Sequence, residues 1–534
     1  MISTENITLS FGGALLFEDV SLKFTNENCY GLIGANGAGK STFLRILSGE
    51  IDSTKGKVLL EKGKRIAVLK QDQFAFDDNL VLETVLMGHQ KLYDIYKERN
   101  DLYSKPTLTD AEGLRAGDLE CLFGDMDGYV AESDAATMLS ELGIPEPLHQ
   151  KKMKDLEAGQ KIRVLLAQAL FGNPDVLLLD EPTNQLDYAT VVWLENFLLD
   201  FKNTVIVVSH NRHFLNKVCT HIADVDYKKI KIHVGNYDFW QESSQLAQSQ
   251  KQDHNKKNTD RIKELEDFIR RFSANASKSK QATSRKKLIE KLRPEELPTS
   301  SRRAPYISFK PKRPCGNTIL SVKNLTHKID GETVLKDISF TLNKNEKIAL
   351  IGPNTVAKTT LLQLLAGELT PDRGTIEWGE TISRSYFPKD NSAYFTTKMP
   401  LLDWLSQYTD QTDMQFIRGF LGRMLFSGDD VNKSVTVLSG GEKARGMFSR
   451  MMLAEGNFLI LDEPTDHLDL ESISALNKGL ETFTDCLIFT SQDFQLLDTV
   501  ANRIIEILPN GTIIDRLDTF SDYMDNPKIQ ALRG

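Results

Sequence analysis

Gly34-Ala35-Asn36-Gly37-Ala38-Gly39-Lys40-Ser41 stands between an apolar run, Tyr30 to Ile33, and a segment with apolar residues at helical spacing, Ser41 to Leu47. A glycine-rich loop that leaves a strand and opens a helix turns successive backbone N–H groups inward, a concavity that suits the oxygens of a phosphate chain. In that setting Lys40 is placed to bridge a β- and a γ-phosphate and the Ser41 hydroxyl to ligate Mg2+, with Asn36, Gly37, Gly39 and Thr42 lining the same cradle.

Val176 to Leu179 is a second apolar run, and it ends in Asp180 and Glu181. Both carboxylates therefore fall at the C-terminal end of a buried strand, where α/β sheets place their ligands. Asp180 suits the Mg2+ shell. Glu181 suits an attacking water, because phosphoryl transfer demands positioning and charge stabilisation more than covalent help. Gln71, after a predicted strand Arg65 to Leu69, reads as a sensor of Mg2+ and water, and His210, after a strand Val205 to Val208, as a γ-phosphate contact. Alone, an Asp-Glu pair at a strand end is more often a solvated turn; the glycine loop upstream changes that balance.

The whole pattern occurs twice. The second copy has Gly352-Pro353-Asn354-Thr355-Val356-Ala357-Lys358-Thr359, followed by Thr360, then Asp462-Glu463, then Gln492. Leu156 to Asp180 and Leu438 to Asp462 are both 24 residues, and Asp180 to His210 and Asp462 to Gln492 are both 30. Lys40 to Asp180 spans 140 residues against 104 from Lys358 to Asp462, so the first copy carries about 36 more. These fall within residues 88–135, a charge-rich stretch read as helices outside the core, over Tyr93 to Tyr103 and Leu119 to Met126. It is either a plain surface insertion or a docking arm.

Domains are expected at 1–240 and 316–534, with a linker at 241–315. The net charge of −9 hides a segregation, because residues 251–313 hold 19 Lys/Arg against 8 Asp/Glu. Within the linker, Gln245 to Phe272 and Lys286 to Leu292 have helical patterns that would project a basic turn. Arg270, Arg271, Lys278, Lys280, Arg285, Lys286 and Lys287 lie in a stretch whose only acid is Glu290. Small polar residues among them allow close approach to a phosphodiester backbone, and like charge at this density repels unless something anionic is bound. The rival reading is a solvated helical face. No apolar run approaches the ~20 residues that cross a bilayer. The chain enters strand-like sequence at Ile7 to Phe11 without a leader pattern, and five widely spaced cysteines read as reduced, mostly buried thiols. A cytoplasmic location is expected.

Leu438-Ser439-Gly440-Gly441-Glu442 opens a predicted helix, where small residues and free N–H groups form an anion site. Beside the glycine loop and Asp-Glu-Pro-Thr, this run resembles the signature of the ATP-binding-cassette family. Two cassettes separated by a charged helical linker, with no membrane span, resemble its ABC-F group, and Gln71 to Phe76 and Arg271 to Arg285 resemble the YbiT-like subgroup. The resemblance implies an α/β fold of two P-loop NTPase cassettes joined by a basic α-helical linker, with a helical arm inserted in the first. It implies ATP and Mg2+ as ligands and an intramolecular pairing in which each signature caps the other cassette's nucleotide. It also implies the ribosome as partner, with the linker at ribosomal RNA and the P-site tRNA.

Site one then combines Phe11, stacked on adenine, with the 34–41 loop, Gln71, Asp180, Glu181, His210 and Ser439 to Glu442. Site two combines Gly352, Asn354, Lys358, Thr359, Thr360, Asp462 and Glu463 with Leu156-Glu157-Ala158-Gly159-Gln160, and it departs from the pattern repeatedly. Thr355 and Ala357 replace glycines, Lys389 replaces the glutamine, Gln492 the histidine and Ile329 the aromatic. If the loop kept its shape, a side chain at positive φ would cost about 1 to 3 kcal/mol. Glu157 beside a γ-phosphate would cost roughly 4 kcal/mol at ~4 Å and an effective dielectric of ~20. An active site one and a degenerate site two are expected. A ribosome-protecting resistance factor, a transporter's ATPase subunit and a nucleotide-gated binding module with little turnover stay open as alternatives.

Overall fold

The computed structural model describes the chain apart from residues 12, 13, 71, 185, 273–283, 285–287, 291, 293–301, 330, 410–412 and 534. In the first half the strands are β1 (Ile2–Phe11), β2 (Ala14–Val20), β3 (Lys23–Phe24), β4 (Cys29–Gly34), β5 (Lys55–Leu60), β6 (Ile66–Val68), β7 (Val176–Asp180), β8 (Thr204–Val208), β9 (His221–Asp226) and β10 (Lys229–Val234). In the second they are β11 (Leu320–Ile329), β12 (Glu332–Leu342), β13 (Lys347–Ile351), β14 (Arg373–Trp378), β15 (Arg384–Phe387), β16 (Phe458–Leu461), β17 (Cys486–Phe489), β18 (Arg503–Ile507) and β19 (Ile513–Arg516).

Each half has a six-stranded main sheet of the same order, β10-β9-β4-β8-β7-β6 and β19-β18-β13-β17-β16-β15. All neighbours are parallel except the last hairpin of each, β9 with β10 and β18 with β19. The central strands are uninterrupted apolar runs, Val176 to Leu179 and Val205 to Val208, because both sheet faces are covered. One apolar layer lies between the sheet and the antiparallel strands, around Phe17, Phe43 and Val225 in the first half. The other lies beneath the helices, around Leu166, Leu177 and Phe214. The second half repeats both layers.

The inserted helices run Gln90–Tyr103 and Asp110–Asp125. The second starts well before Leu119 because Thr109 and Glu112 form a reciprocal capping box. Arg99 ties the pair together through Glu120 at 2.8 Å and through the Phe123 ring at 4.9 Å. The pair does not stand outside the core: Leu92, Leu102, Leu119 and Phe123 are buried in an apolar layer continuous with the cassette's own.

The linker begins as one 36-residue helix, Tyr237–Phe272, earlier than the expected start at Gln245. Arg270 and Arg271 are in its last turn, whereas Lys278, Lys280, Arg285, Lys286 and Lys287 lie outside the described residues. The chain returns through Ile307 and Phe309, both buried in the second cassette's core. No helix among the described residues is long and apolar enough to cross a membrane. Four cysteines are buried and Cys121 is exposed, all as free thiols.

Candidate functional site

β4 ends at Gly34, and the helix Lys40–Leu47 begins six residues later. The turn between them needs glycine, since Gly37 and Gly39 have φ of +81° and +96°. A Cβ at Gly39 would also press to 3.2 Å from the Phe17 ring. Lys40 is buried, and its Nζ donates to the Gly34 and Ala35 carbonyls at 2.8 and 3.2 Å. Burial lowers its pKa, against the opposing pull of Glu181, Asp469 and Glu471. The last two belong to the second cassette.

Asp180 closes β7, and Glu181 follows with φ of 51°, a left-handed backbone that costs about 1 to 3 kcal/mol and is typical of functional turns. Its N–H donates to the Val208 carbonyl at 2.9 Å, which fixes the carboxylate beside the end of β8. The His210 N–H donates to Glu181 Oε2 at 3.2 Å, and His210 Nε2 lies 3.3 Å from Oε1. Burial raises the Glu181 carboxyl to about 7. Burial, with Lys40, depresses His210 to about 3, so the imidazole is neutral at physiological pH. The pair thus offers a carboxylate poised for proton transfer beside an uncharged ring.

From across the molecule, the second cassette faces this loop. Asn36 Nδ2 donates to the His467 carbonyl at 3.2 Å. A Cβ on Gly441 would lie 3.0 Å from that same carbonyl and 3.6 Å from Asn36 Nδ2. Ser439 caps the helix Gly440–Ala454: its hydroxyl accepts from Glu442 N, and Glu442 accepts from Ser439 N at 2.8 Å. Burial alone would raise the Glu442 carboxyl, but those bonds and Lys433 hold it below its ordinary value. Leu470, just past His467, is buried in the first cassette's core. His213 stacks on Phe494 with 4.2 Å between centroids.

The corresponding loop of the second cassette is not a loop. Its helix runs Thr355–Ala366 and so starts at the position equivalent to Gly37. Asn354 caps it, its side chain accepting from Ala357 N at 3.1 Å, and Lys358 N donates to the Asn354 carbonyl at 3.3 Å. The strain expected of Thr355 and Ala357 is therefore avoided, since both are helical. Two amides that would face a phosphate are taken within the turn. Glu463 repeats the left-handed backbone, φ 45°, and burial again raises its carboxyl to about 7. Thr490 Oγ1 donates to Asp462 Oδ1 at 2.8 Å and accepts from Glu463 N at 2.8 Å. Glu157 is exposed at the start of its helix, and a Cβ on Gly159 would meet nothing within 4 Å.

Phe11 and Ile329 end β1 and β11. Gln71 lies outside the described residues. Gly352 has φ +137°, and a Cβ there would fall 2.3 Å from the Ile507 carbonyl, while Lys358, Thr359 and Thr360 lie in the first turns of the helix. Sequence reasoning missed His467, Asp469 and Glu471. A signal existed: Leu186-Asp187 and Leu468-Asp469 stand at equal distances from Asp180 and Asp462.

The first cassette's residues suit a magnesium-bound triphosphate. Two positive-φ glycines leave an open backbone cradle, and the Ser41 hydroxyl and Asp180 carboxylate are hard oxygen donors. Among the described residues no three His, Cys, Asp or Glu form a cage. A cation here would take its remaining ligands from phosphate and water, as Mg2+ commonly does.

A family model described as ABC transporter matches residues 17–184 and 335–466, each span holding one glycine loop and one Asp-Glu pair, and a companion extension model of the same description matches 223–309. The chain is 57% identical over 533 residues to the uncharacterized ABC transporter ATP-binding protein YkpA of Bacillus subtilis, covering 99% of this chain and 98% of that one. It is 45% identical to the probable ATP-binding protein YbiT of Escherichia coli O157:H7 over 99% and 100%. With ABC transporter F family member 2 of Arabidopsis thaliana it shares 31% identity over 98% of this chain and 78% of the relative. The chain belongs to the ABC-F family. The solved structure of an archaeal ABCE1 in complex with the stalk protein aP1 has the same fold, with a TM-score of 0.60 at 18% identity over 99% of this chain and 92% of that one. The ABC-F assignment covers both cassettes and the linker between them.

Proposed function

We propose that the chain is a cytoplasmic, ribosome-associated ATPase, a translation factor that engages ribosomal RNA and the P-site tRNA while ATP holds its cassettes together and leaves after hydrolysis. The observation that carries the enzymatic part is the meeting of Asn36, His467 and Gly441, which sets the first glycine loop against the second signature.

In this reading Lys40 and the amides of 37–42 hold the triphosphate, Phe11 stacks on adenine, and Ser41, Gln71 and Asp180 hold Mg2+. Mg2+, when bound, neutralises charge on the β- and γ-oxygens. Glu181 orients and deprotonates the attacking water, and neutral His210 reads the γ-phosphate. Ser439, Gly440 and Gly441 cap that phosphate, with Glu442 keeping their helix start in shape. At site two, Gly352, Asn354, Lys358, Thr359, Thr360, Asp462 and Glu463 bind nucleotide weakly without turnover, because the helical turn from Thr355 occupies the cradle.

Support for the ribosomal partner comes from the ABC-F resemblance and from the basic stretch Arg270 to Arg293 in an otherwise acidic chain. Co-sedimentation of Glu181→Gln protein with ribosomes in ATP, at two salt concentrations, tests it. Trapping is expected to need ATP and to weaken with salt and on neutralising Lys278, Lys280, Arg285, Lys286 and Lys287. Trapping that survives the neutralisation removes the linker from the reading.

A further inference from the structure

Arg302 touches three parts of the molecule. Its Nη2 donates to Asp224 Oδ1 on β9 at 2.6 Å, and its Nη1 to Glu471 Oε1 of the second cassette at 2.8 Å. Its guanidinium lies 4.5 Å from the centroid of Trp240, the fourth residue of the linker helix. The side chain is 12% exposed, so both ion pairs are largely removed from water, where a planar fork serves better than a point charge.

These contacts sit next to site one. Glu471 is the second residue of the helix Leu470–Glu481, directly after the segment whose His467 carbonyl accepts from Asn36. Both Glu471 and Arg302 act electrostatically on Lys40. Five residues beyond Arg302, Ile307 is buried in the second cassette's core. One side chain therefore joins the linker's outgoing helix, its return segment, the first cassette's sheet and the second cassette's interface helix.

We infer that Arg302 is a positioning residue that acts through Glu471 to hold the 467–471 segment against the first glycine loop, so that the base of the linker sets how well site one closes. The inference rests on the proposal that site one hydrolyses ATP. Asp224 anchors the guanidinium, and Trp240 aligns it with the linker.

The test is steady-state ATPase of the full chain carrying Arg302→Ala, Glu471→Ala, both together, Arg302→Lys and Asp224→Asn, with thermal midpoints for each. A positioning role lowers kcat about tenfold in Arg302→Ala with KM changed less than about threefold, since the first cassette still binds nucleotide. Arg302→Lys recovers part of the loss, and the double substitution is no worse than the poorer single one. A merely structural role instead lowers the thermal midpoint and leaves kcat of the folded fraction unaltered. Additive losses in the double variant, or kcat within about twofold of the parent in folded Arg302→Ala, overturn the inference. If the Arg302 variants do not fold, Glu471→Ala decides by the same kcat criterion, because it removes the proposed route to the 467–471 segment while Arg302 keeps its Asp224 partner. A Glu181→Gln control separates the two failures: turnover persisting there removes the site-one reading itself, whereas its loss beside a normal Arg302→Ala removes only the positioning role.

Discussion

Asn36 donates through its side-chain amide to the backbone carbonyl of His467 at 3.2 Å, across 431 residues of chain. The equivalent Asn354 instead caps its own helix, accepting from Ala357 N at 3.1 Å. The same residue type thus reaches outward in one half and folds inward in the other, and the expected behaviour of the two halves diverges accordingly.

Glu181→Gln is expected to lower ATP turnover by at least about a hundredfold, the scale of a lost general base. Glu463→Gln is expected to leave it within about threefold. Phosphate release by each variant checks this, and equal losses would remove the asymmetry between sites.

With burial pushing the Glu181 carboxyl up to about 7 and His210 down to about 3, the acid limb of kcat/KM is expected to come from the carboxylate. A protonated Glu181 cannot accept a proton, so kcat/KM should fall about tenfold per unit below pH 7 and level off above it. The sign for stability is opposite. The folded carboxyl sits above its ordinary 4.5, so the native state gives up its proton later than the unfolded one, and stability declines as pH rises through that window. Rate profiles and thermal midpoints between pH 5 and 8.5 measure both trends.

Gly441→Ala would place a methyl 3.0 Å from the His467 carbonyl, a backbone atom that cannot swing away. Turnover should drop about tenfold. Gly159→Ala enters open space at the start of a helix. It should leave turnover unchanged and stabilise the fold by up to ~1 kcal/mol, read from denaturant midpoints.

Restoring glycine at Thr355 and Ala357 weakens the extra helical turn by roughly 0.5 to 1 kcal/mol per residue and frees amides for a phosphate. Equilibrium dialysis with labelled ATP should then count two nucleotides per chain against the one expected of the parent. An unchanged count would mean that the exposed Glu157, not the loop, limits site two.

Much of the cassette core is legible because its central strands are unbroken runs of Val, Leu and Ile, and because the duplicated spacing carries the register from one half to the other. The arm is less so. Its apolar positions are diluted among charges, and only the Thr109 and Glu112 cap marks where the second helix starts. The loss of two glycines in the second loop is plain, but its outcome depends on a competition that composition alone does not resolve. With no glycine at positions 355 and 357, Asn354 and the helix-forming run after it close the turn. Arg302 is invisible locally, since Asp224 and Glu471 lie 78 and 169 residues away. Its partners become apparent only when the chain is folded.

Leu470 is 1% exposed, yet it belongs to the second cassette and rests in the core of the first. A Leu of that burial contributes about 1.5 to 3 kcal/mol. Expressed alone, the N-terminal half would present an empty greasy socket, and the C-terminal half a bare plug. The two are better regarded as interlocked parts that must mature on one polypeptide than as modules that happen to share one.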